Sequence, residues 1–247
     1  HRGGLFKMMT FIKNEFTKVK SEKFIIIVCL LSLIPFTMNI ANFFINNKDL
    51  SLIGGFYFRF YNQNFMIIPI AMGIIGSSIF YIEFKNHTLL NWLAYSGNKY
   101  KLFSSKLLVS LLYCLFLYAI NLTLLLAFYL IQGRSLRDLI LIFVSFTLFN
   151  ILLIIFMIPL SITAVIITKN YIVSIVLSIG IAMVSMILMP APFANLIPTT
   201  LSYRLGLATI DSSIGFDSPN SVIIGIVVLV GVSLLLIILG SRNLKIK

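Results

Sequence analysis

Two stretches gather polar and charged side chains at spacings that could act on another molecule, residues 8–23 and 83–106. In 83–106, Thr88 or Asn86 can cap a short helix over 89–95, and Gly97 can end it in the left-handed conformation that follows a helix. Asn98 can then start a second helix through Lys99, Lys101 and Lys106. A structured link of about 20 residues is longer than two neighbouring helices need. It suggests a docking surface for a partner protein, with a flexible loop as the plainer reading.

Bond-making chemistry is missing. No GxxxxGK[ST] run exists to hold ATP phosphates, and no HExxH or GxSxG occurs. The two histidines, His1 and His87, lie outside the long apolar runs, so an intramembrane metalloprotease or Ser–His protease has neither ligands nor base. Cys29 and Cys114 sit in apolar stretches and read as small buried hydrophobes; without a CxxC there is no zinc or redox framework.

The elements that position the two stretches follow from charge distribution. The 247 residues are 60% hydrophobic and 11% charged, with mean hydropathy +1.06. Soluble domains carry about 25% charged residues, so a cytosolic globule, a disordered chain and a disulfide-stapled secreted domain are excluded. Uncharged runs cover 24–47, 60–82, 107–133, 139–168, 170–203 and 218–241. A bilayer core of about 30 Å needs about 20 apolar residues as helix. In lipid each segment must satisfy its own backbone, and the runs are apolar all round rather than alternating, so the expected fold is all-α. Spans are expected near 24–44, 63–83, 106–131, 139–167, 171–189 and 221–240.

The net charge of +12 comes from cations that flank these runs, which points to membrane flanks rather than nucleic acid. With the N-terminus inside, 14 of the 19 Lys and Arg fall on cytoplasmic segments and 5 outside, so both termini are expected in the cytoplasm. The first span is too long for a cleaved signal peptide and lacks a small-x-small site. Residues 1–7 precede Met8–Met9 and read as a tag remnant, leaving 8–247 as one membrane domain.

Several segments depart from plain spans. Met8, Met9, Ile12, Phe16 and Val19 recur at helical spacing with Lys13, Lys18 and Lys20 between them. That pattern suits an amphipathic helix in the cytoplasmic headgroup layer, or, more plainly, a solvated basic tail. Run 170–203 would be about 51 Å as one helix, too long for one crossing. Pro190, Pro192 and Pro198 break it, so the helix should end near Leu188 and 191–220 should form short helices or a re-entrant outer element. Phe193, Leu196, Ile197, Tyr203 and Leu205 should keep that element against lipid or a partner span.

Loop 45–64 is expected outside, its Phe56, Tyr57, Phe58, Phe60 and Tyr61 forming an interfacial aromatic belt, with substrate binding as the other reading. Small residues four apart, Ser174, Ser178 and Ala182, suit either a subunit interface or packing within one chain. Pro35, Pro69 and Pro159 are expected to kink their helices. No ionisable residue lies between the span ends, which argues against a proton-coupled antiporter, although a sodium site of carbonyls and hydroxyls stays open.

Taken together, the N-terminal amphipathic helix, six spans with both ends inside, the 83–106 link and the proline-broken element before the last span resemble the permease subunit of type-two ABC exporters. The link carries most of the resemblance. Glu83, Thr88, Leu89, Leu90, then Ser96 and the basic Lys99, Lys101 and Lys106 look like that family's coupling segment. Ala94-Tyr95-Ser96 and Lys99 stand where many members have a proline and an arginine. The size and the Ile/Asn/Lys/Phe-rich usage look most like the lantibiotic-immunity and peptide-toxin exporter permeases of low-GC Gram-positive bacteria.

The resemblance implies a transport subunit in the bacterial cytoplasmic membrane that is not itself an enzyme and holds no cofactor. ATP and Mg²⁺ would be bound by two copies of a cytosolic ATPase. A second permease chain, identical or paralogous, would pair with this one, and an amphipathic peptide would be the cargo. Glu83, Thr88, Leu89, Leu90, Trp92, Leu93, Ser96, Lys99 and Lys101 would couple to the ATPase, with Glu83 anchored through Lys85 or the N-terminal helix. Met9, Ile12, Phe16 and Val19 would form the interfacial face, and Pro190, Pro192, Phe193 and Pro198 an outer gate. The alternative is an uncoupled channel or secondary transporter of small apolar solutes.

Overall fold

The computed structural model describes residues 12–20, 22–46, 48–86 and 99–244, and all regular structure among them is helical. Residues 12–20 form α1. They are followed by α2 (Phe24–Ile45), α3 (Phe56–Lys85), α4 (Lys99–Ile131), α5 (Leu136–Thr168), α6 (Tyr171–Ile187), α7 (Pro198–Ala208) and α8 (Pro219–Asn243), with 3-10 turns Ala194–Leu196 and Ser212–Ile214 on either side of α7.

Helices α2, α3, α4, α5 and α8 are long and apolar enough to cross a bilayer. α6, with 17 residues, is about 25 Å long, somewhat under the hydrocarbon thickness of about 30 Å. The uncharged runs locate these helices, but α3 and α4 extend beyond them. α3 begins at Phe56 rather than 63, and α4 at Lys99 rather than 106. Local chemistry sets the ends. Ser135, Asn170 and Ser218 each accept a hydrogen bond from a first-turn N–H. Pro198 and Pro219 occupy first-turn positions, where a missing N–H costs nothing. Lys169 closes α5 with φ 53°, and Asn170 starts the next helix at once. Pro35, Pro69 and Pro159 lie inside uninterrupted helices.

Contacts divide the bundle into two ends. At one end the Phe56 ring stacks on Phe128 at 4.4 Å, beside Phe36 and Phe43. At the other end Lys106 reaches Glu83, and Lys99 Nζ donates to the Arg242 carbonyl at 3.4 Å. α5 forms the hub, packing against α3, α4, α6, α7 and α8.

Two expectations change here. Phe56, Tyr57, Phe60 and Tyr61 are fully buried, not an interfacial belt, and only Phe58 is half-buried. Their positions form i,i+4 pairs, so once the helix starts at Phe56 they share one face and fill the core against Phe128, Phe146 and Phe149. Ser174, Ser178 and Ala182 are likewise buried inside this chain rather than free for a second one. Ser174 Oγ donates to the Ser161 carbonyl at 2.8 Å, and Ser178 fills the space beside Gly73. A small-residue face lets backbones approach, and here α3, α5 and α6 have used it on one another.

Gly76 is the tightest point of that seam, since a Cβ there would run into Ser161 Oγ. Gly76→Leu should destabilise the purified protein by about 1–3 kcal/mol, as overpacking does, and lower its melting temperature in detergent. Gly231→Leu, where a Cβ meets nothing within 4 Å, should leave it unchanged. Equal melting of the two variants would contradict the packing described.

Candidate functional site

The site grows from one face of α1. Ile12, Glu15, Phe16 and Val19 recur at helical spacing, and all turn toward the bundle. Val19 is buried, Ile12 and Phe16 pack against the core, and the Phe16 ring lies 5.3 Å from that of Tyr113. The expected apolar face therefore docks on the protein itself; Met9 lies outside the described residues. Amid that face sits a carboxylate. Glu15 is 1% exposed, a position an isolated charge would occupy only at heavy desolvation cost.

Two ammonium groups answer it, Lys106 of α4 and Lys18 of α1 itself, and a second carboxylate, Glu83, shares them. Lys106, on the first turns of α4 and 1% exposed, places Nζ 2.6 Å from Glu15 Oε2 and 3.1 Å from Glu83 Oε1. It also donates to the Ile79 carbonyl at 3.0 Å, so its ammonium is hydrogen-bonded to Glu15 and Ile79 and ion-paired with Glu83. Glu83, on the last turn of α3, is 1% exposed as well. Lys18 closes the ring from the solvent side, with Nζ 2.8 Å from Glu83 Oε1 and 3.2 Å from Glu15 Oε1. Each carboxylate thus lies between two ammonium groups, and the four charges sum to zero. Burial pulls the Lys18 ammonium toward neutrality, but its hydrogen bond to Glu83 and the charges of Glu15 and Glu83 outweigh that and hold its pKa above the ordinary lysine value. A raised pKa means this tie is fully present below the ordinary lysine range and is lost only as pH climbs through the raised value.

The ring encloses the roots of the expected coupling segment. Residues 87–98 lie outside the described residues, and with them Thr88, Leu89, Leu90, Trp92, Leu93 and Ser96. Of the remaining coupling candidates, Glu83 is in the ring, Lys99 holds the end of α8, and Lys101 is exposed. The expected anchor of Glu83 through the N-terminal helix is present as Lys18; exposed Lys85 is not among the ion pairs seen, and Lys106 takes that place. Asn86 follows α3 and closes it, its N–H bonded to the Ile82 carbonyl, and the expected helix over 89–95 lies outside the described residues. Sequence reasoning missed Glu15. The signal was there: one of only seven acids in the chain, on the apolar stripe between Ile12, Phe16 and Val19.

The expected outer gate separates into two parts. Pro190, Pro192 and Phe193 are exposed, whereas Pro198 opens α7, which is buried and bolted in place. Tyr61 Oη donates to the Tyr203 carbonyl at 2.9 Å, and Ser145 Oγ to the Gly206 carbonyl at 2.7 Å. Tyr57 Oη donates to Ser145 Oγ at 2.7 Å, and Tyr203 Oη bonds Asn62. Gly206 is required there, because a Cβ would strike the Tyr61 hydroxyl. Tyr203 therefore faces α3 rather than lipid, while Phe193 and Leu196 remain exposed. Arg204 of α7 donates to the carbonyls of Ile214 and Gly215, and its guanidinium lies 4.2 Å from the Phe216 ring centre, which pins the following loop. Among the described residues no group of three or more His, Cys, Asp or Glu could hold a metal.

Comparison with known proteins adds one match. The family model described as ABC-2 family transporter protein matches residues 11–187, more than half of the chain, including all four charges of the ring. No curated protein and no solved structure matches the chain.

The ring supports a double-substitution test. Lys106→Met leaves two buried carboxylates with only Lys18 between them and should cost roughly 3–5 kcal/mol, read as a drop in melting temperature in detergent. Adding Glu15→Met restores charge balance and should recover most of that loss. A double variant as unstable as the sum of its singles would show that the charges do not act on one another.

Proposed function

We infer the function from one premise: the chain belongs to the ABC-2 family of transporter proteins, and so is the multi-pass membrane permease component of an ABC transporter, worked by an ABC ATPase partner. The ATPase is a separate subunit, and it grips residues 87–98 from the cytoplasm. Force applied there enters two helices at once, because the segment joins α3 just beyond Glu83 to the start of α4, and Glu83 and Lys106 are paired at 3.1 Å. That pairing is the observation that carries the reading. Lys18 and Glu15 extend the same tie to α1, so the partner's closure would move α1, α3 and α4 as one body.

In this reading α6 is the sixth span, both termini lie in the cytoplasm, and two permease chains and two ATPase copies make the working unit in a bacterial cytoplasmic membrane. The cation distribution supports the orientation. The cargo is an amphipathic peptide, as for the lantibiotic-immunity and peptide-toxin exporters that the chain resembles. The support is that resemblance and the uncharged middles of the long helices, which offer a passing peptide no fixed ion.

A pull-down in mild detergent tests the coupling. Asp at Leu89, Leu90 and Trp92 together should reduce co-purified ATPase roughly tenfold or more, as loss of interface anchors does, while membrane insertion and the melting temperature stay unchanged. Full ATPase recovery with the triple variant would remove the coupling role from this segment.

A further inference from the structure

Three neighbouring helices each bury an asparagine within an uncharged run: Asn64 on α3, Asn121 on α4 and Asn150 on α5. Each is at most 1% exposed. Asn121 Nδ2 donates to the Leu117 carbonyl at 3.0 Å, and Asn150 Nδ2 to the Phe146 carbonyl at 2.9 Å, one turn back on their own helices. Those bonds fix which end of each amide is the nitrogen. Both Oδ1 atoms stay buried without a donor among the described residues. Asn64 Nδ2 and Oδ1 are buried without a partner as well. Amide atoms that have given up water to enter a core are nearly always bonded there, because leaving them unpaired is costly.

Helix register brings the three together. Phe60 meets Phe146 at 5.6 Å, and Tyr61 and Phe65 meet Phe149 at 4.7 and 6.2 Å, so α3 and α5 run in step and Asn64 falls level with residues 148–152. α4 runs the other way. The ring contacts Phe56–Phe128 and Phe80–Phe103, and the bond from the Tyr57 N–H to Tyr129 Oη, set Asn64 opposite residues 119–122. The faces agree. Asn121 lies two turns from Phe128, which meets α3, and Asn150 one turn from Phe146, which meets both Phe60 of α3 and Tyr118 of α4. Three amide oxygens then share one NH₂ group, whose two protons cannot serve all of them however Asn64 turns. The missing donors have to come from a guest. A cation would keep its charge in a core whose three runs hold no Asp or Glu, at heavy desolvation cost. Water is neutral, gives two protons and accepts others, and a buried water makes about three hydrogen bonds. We propose that Asn64, Asn121 and Asn150 form a water site inside the membrane-spanning bundle, where one or two water molecules accept from Asn64 Nδ2 and donate to the amide oxygens, tying α3, α4 and α5 together. The proposal needs only the packing of one chain and stands apart from the coupling reading.

The test is radiolytic hydroxyl labelling of the purified full chain in detergent, read by peptide mapping. X-ray pulses split bound as well as bulk water, and the radical oxidises side chains beside it. Phe60 and Phe146, both fully buried and one turn from Asn64 and Asn150, should be oxidised several-fold faster than Phe43 and Phe56, which are as deeply buried and lie at the ends of their helices. Combining Asn64→Leu, Asn121→Leu and Asn150→Leu removes all the polar atoms together, which a core tolerates better than stranding some of them, and should abolish that excess. Asn64→Leu alone, which removes two of the four unpaired atoms, should roughly halve it or more. Equal oxidation of Phe146 and Phe56 in the unaltered chain would mean a dry core and overturn the proposal. So would an undiminished excess in a monodisperse form of either variant. A melting temperature that shifts when sodium is exchanged for choline, and no longer does so in the triple variant, would put a cation there and overturn it too.

Discussion

A carboxylate taken away from water needs counter-charge and hydrogen-bond donors, and Glu15 and Glu83 find both in Lys18 and Lys106. The position of α1 depends on that requirement. Its apolar residues Phe16 and Val19 would favour many placements along a hydrophobic surface, because apolar burial has no direction. Ion pairs at 2.6–3.2 Å do have direction. With Lys106 also held by the Ile79 carbonyl, one arrangement of α1 against α3 and α4 satisfies every buried charge in the ring. Moving any one member strands another, which is the property a force-transmitting junction needs.

The opposite end of the bundle is held by different means. There Tyr57 bonds to Ser145, Ser145 and Tyr61 bond to the backbone of α7, and a block of phenylalanine rings fills the space between α2, α3, α4 and α5. Rings packed edge to face and bonds to main-chain carbonyls resist small shifts without any net charge. Between the two ends, Gly73 and Gly76 bring α3 against α6 and α5 with side-chain hydroxyls filling the gap. The permease thus has a charged junction where its ATPase is proposed to push, a close-packed waist, and a neutral plug at the far side.

Much of this was readable in advance, and where the reading stopped has physical causes. Charge-free runs mark membrane helices because a bilayer tolerates few ions, so the long helices, the end of α6 near Leu188 and the all-helical class were legible from residue types alone. The orientation of an aromatic or small residue within such a helix was not. Tyr57 and Ser178 look the same to a hydropathy count whether they face lipid, a partner or the core, and both face the core. Sequence signals also stop at the edge of an apolar run, while the helix continues. Glu83 and Lys106 lie just past the edges of runs 60–82 and 107–133, still within α3 and α4, and there they meet.

What the sequence determined by itself is the class of molecule: a helical membrane protein without nucleotide-binding or protease motifs, with a polar link and a basic amphipathic start, because composition and period are local properties. Which charge answers which was decided only by the tertiary structure. Glu15 and Lys106 are 91 residues apart, and no local rule relates them. They meet because α1 folds back across the ends of α3 and α4, where a buried carboxylate left without a counter-charge would be costly.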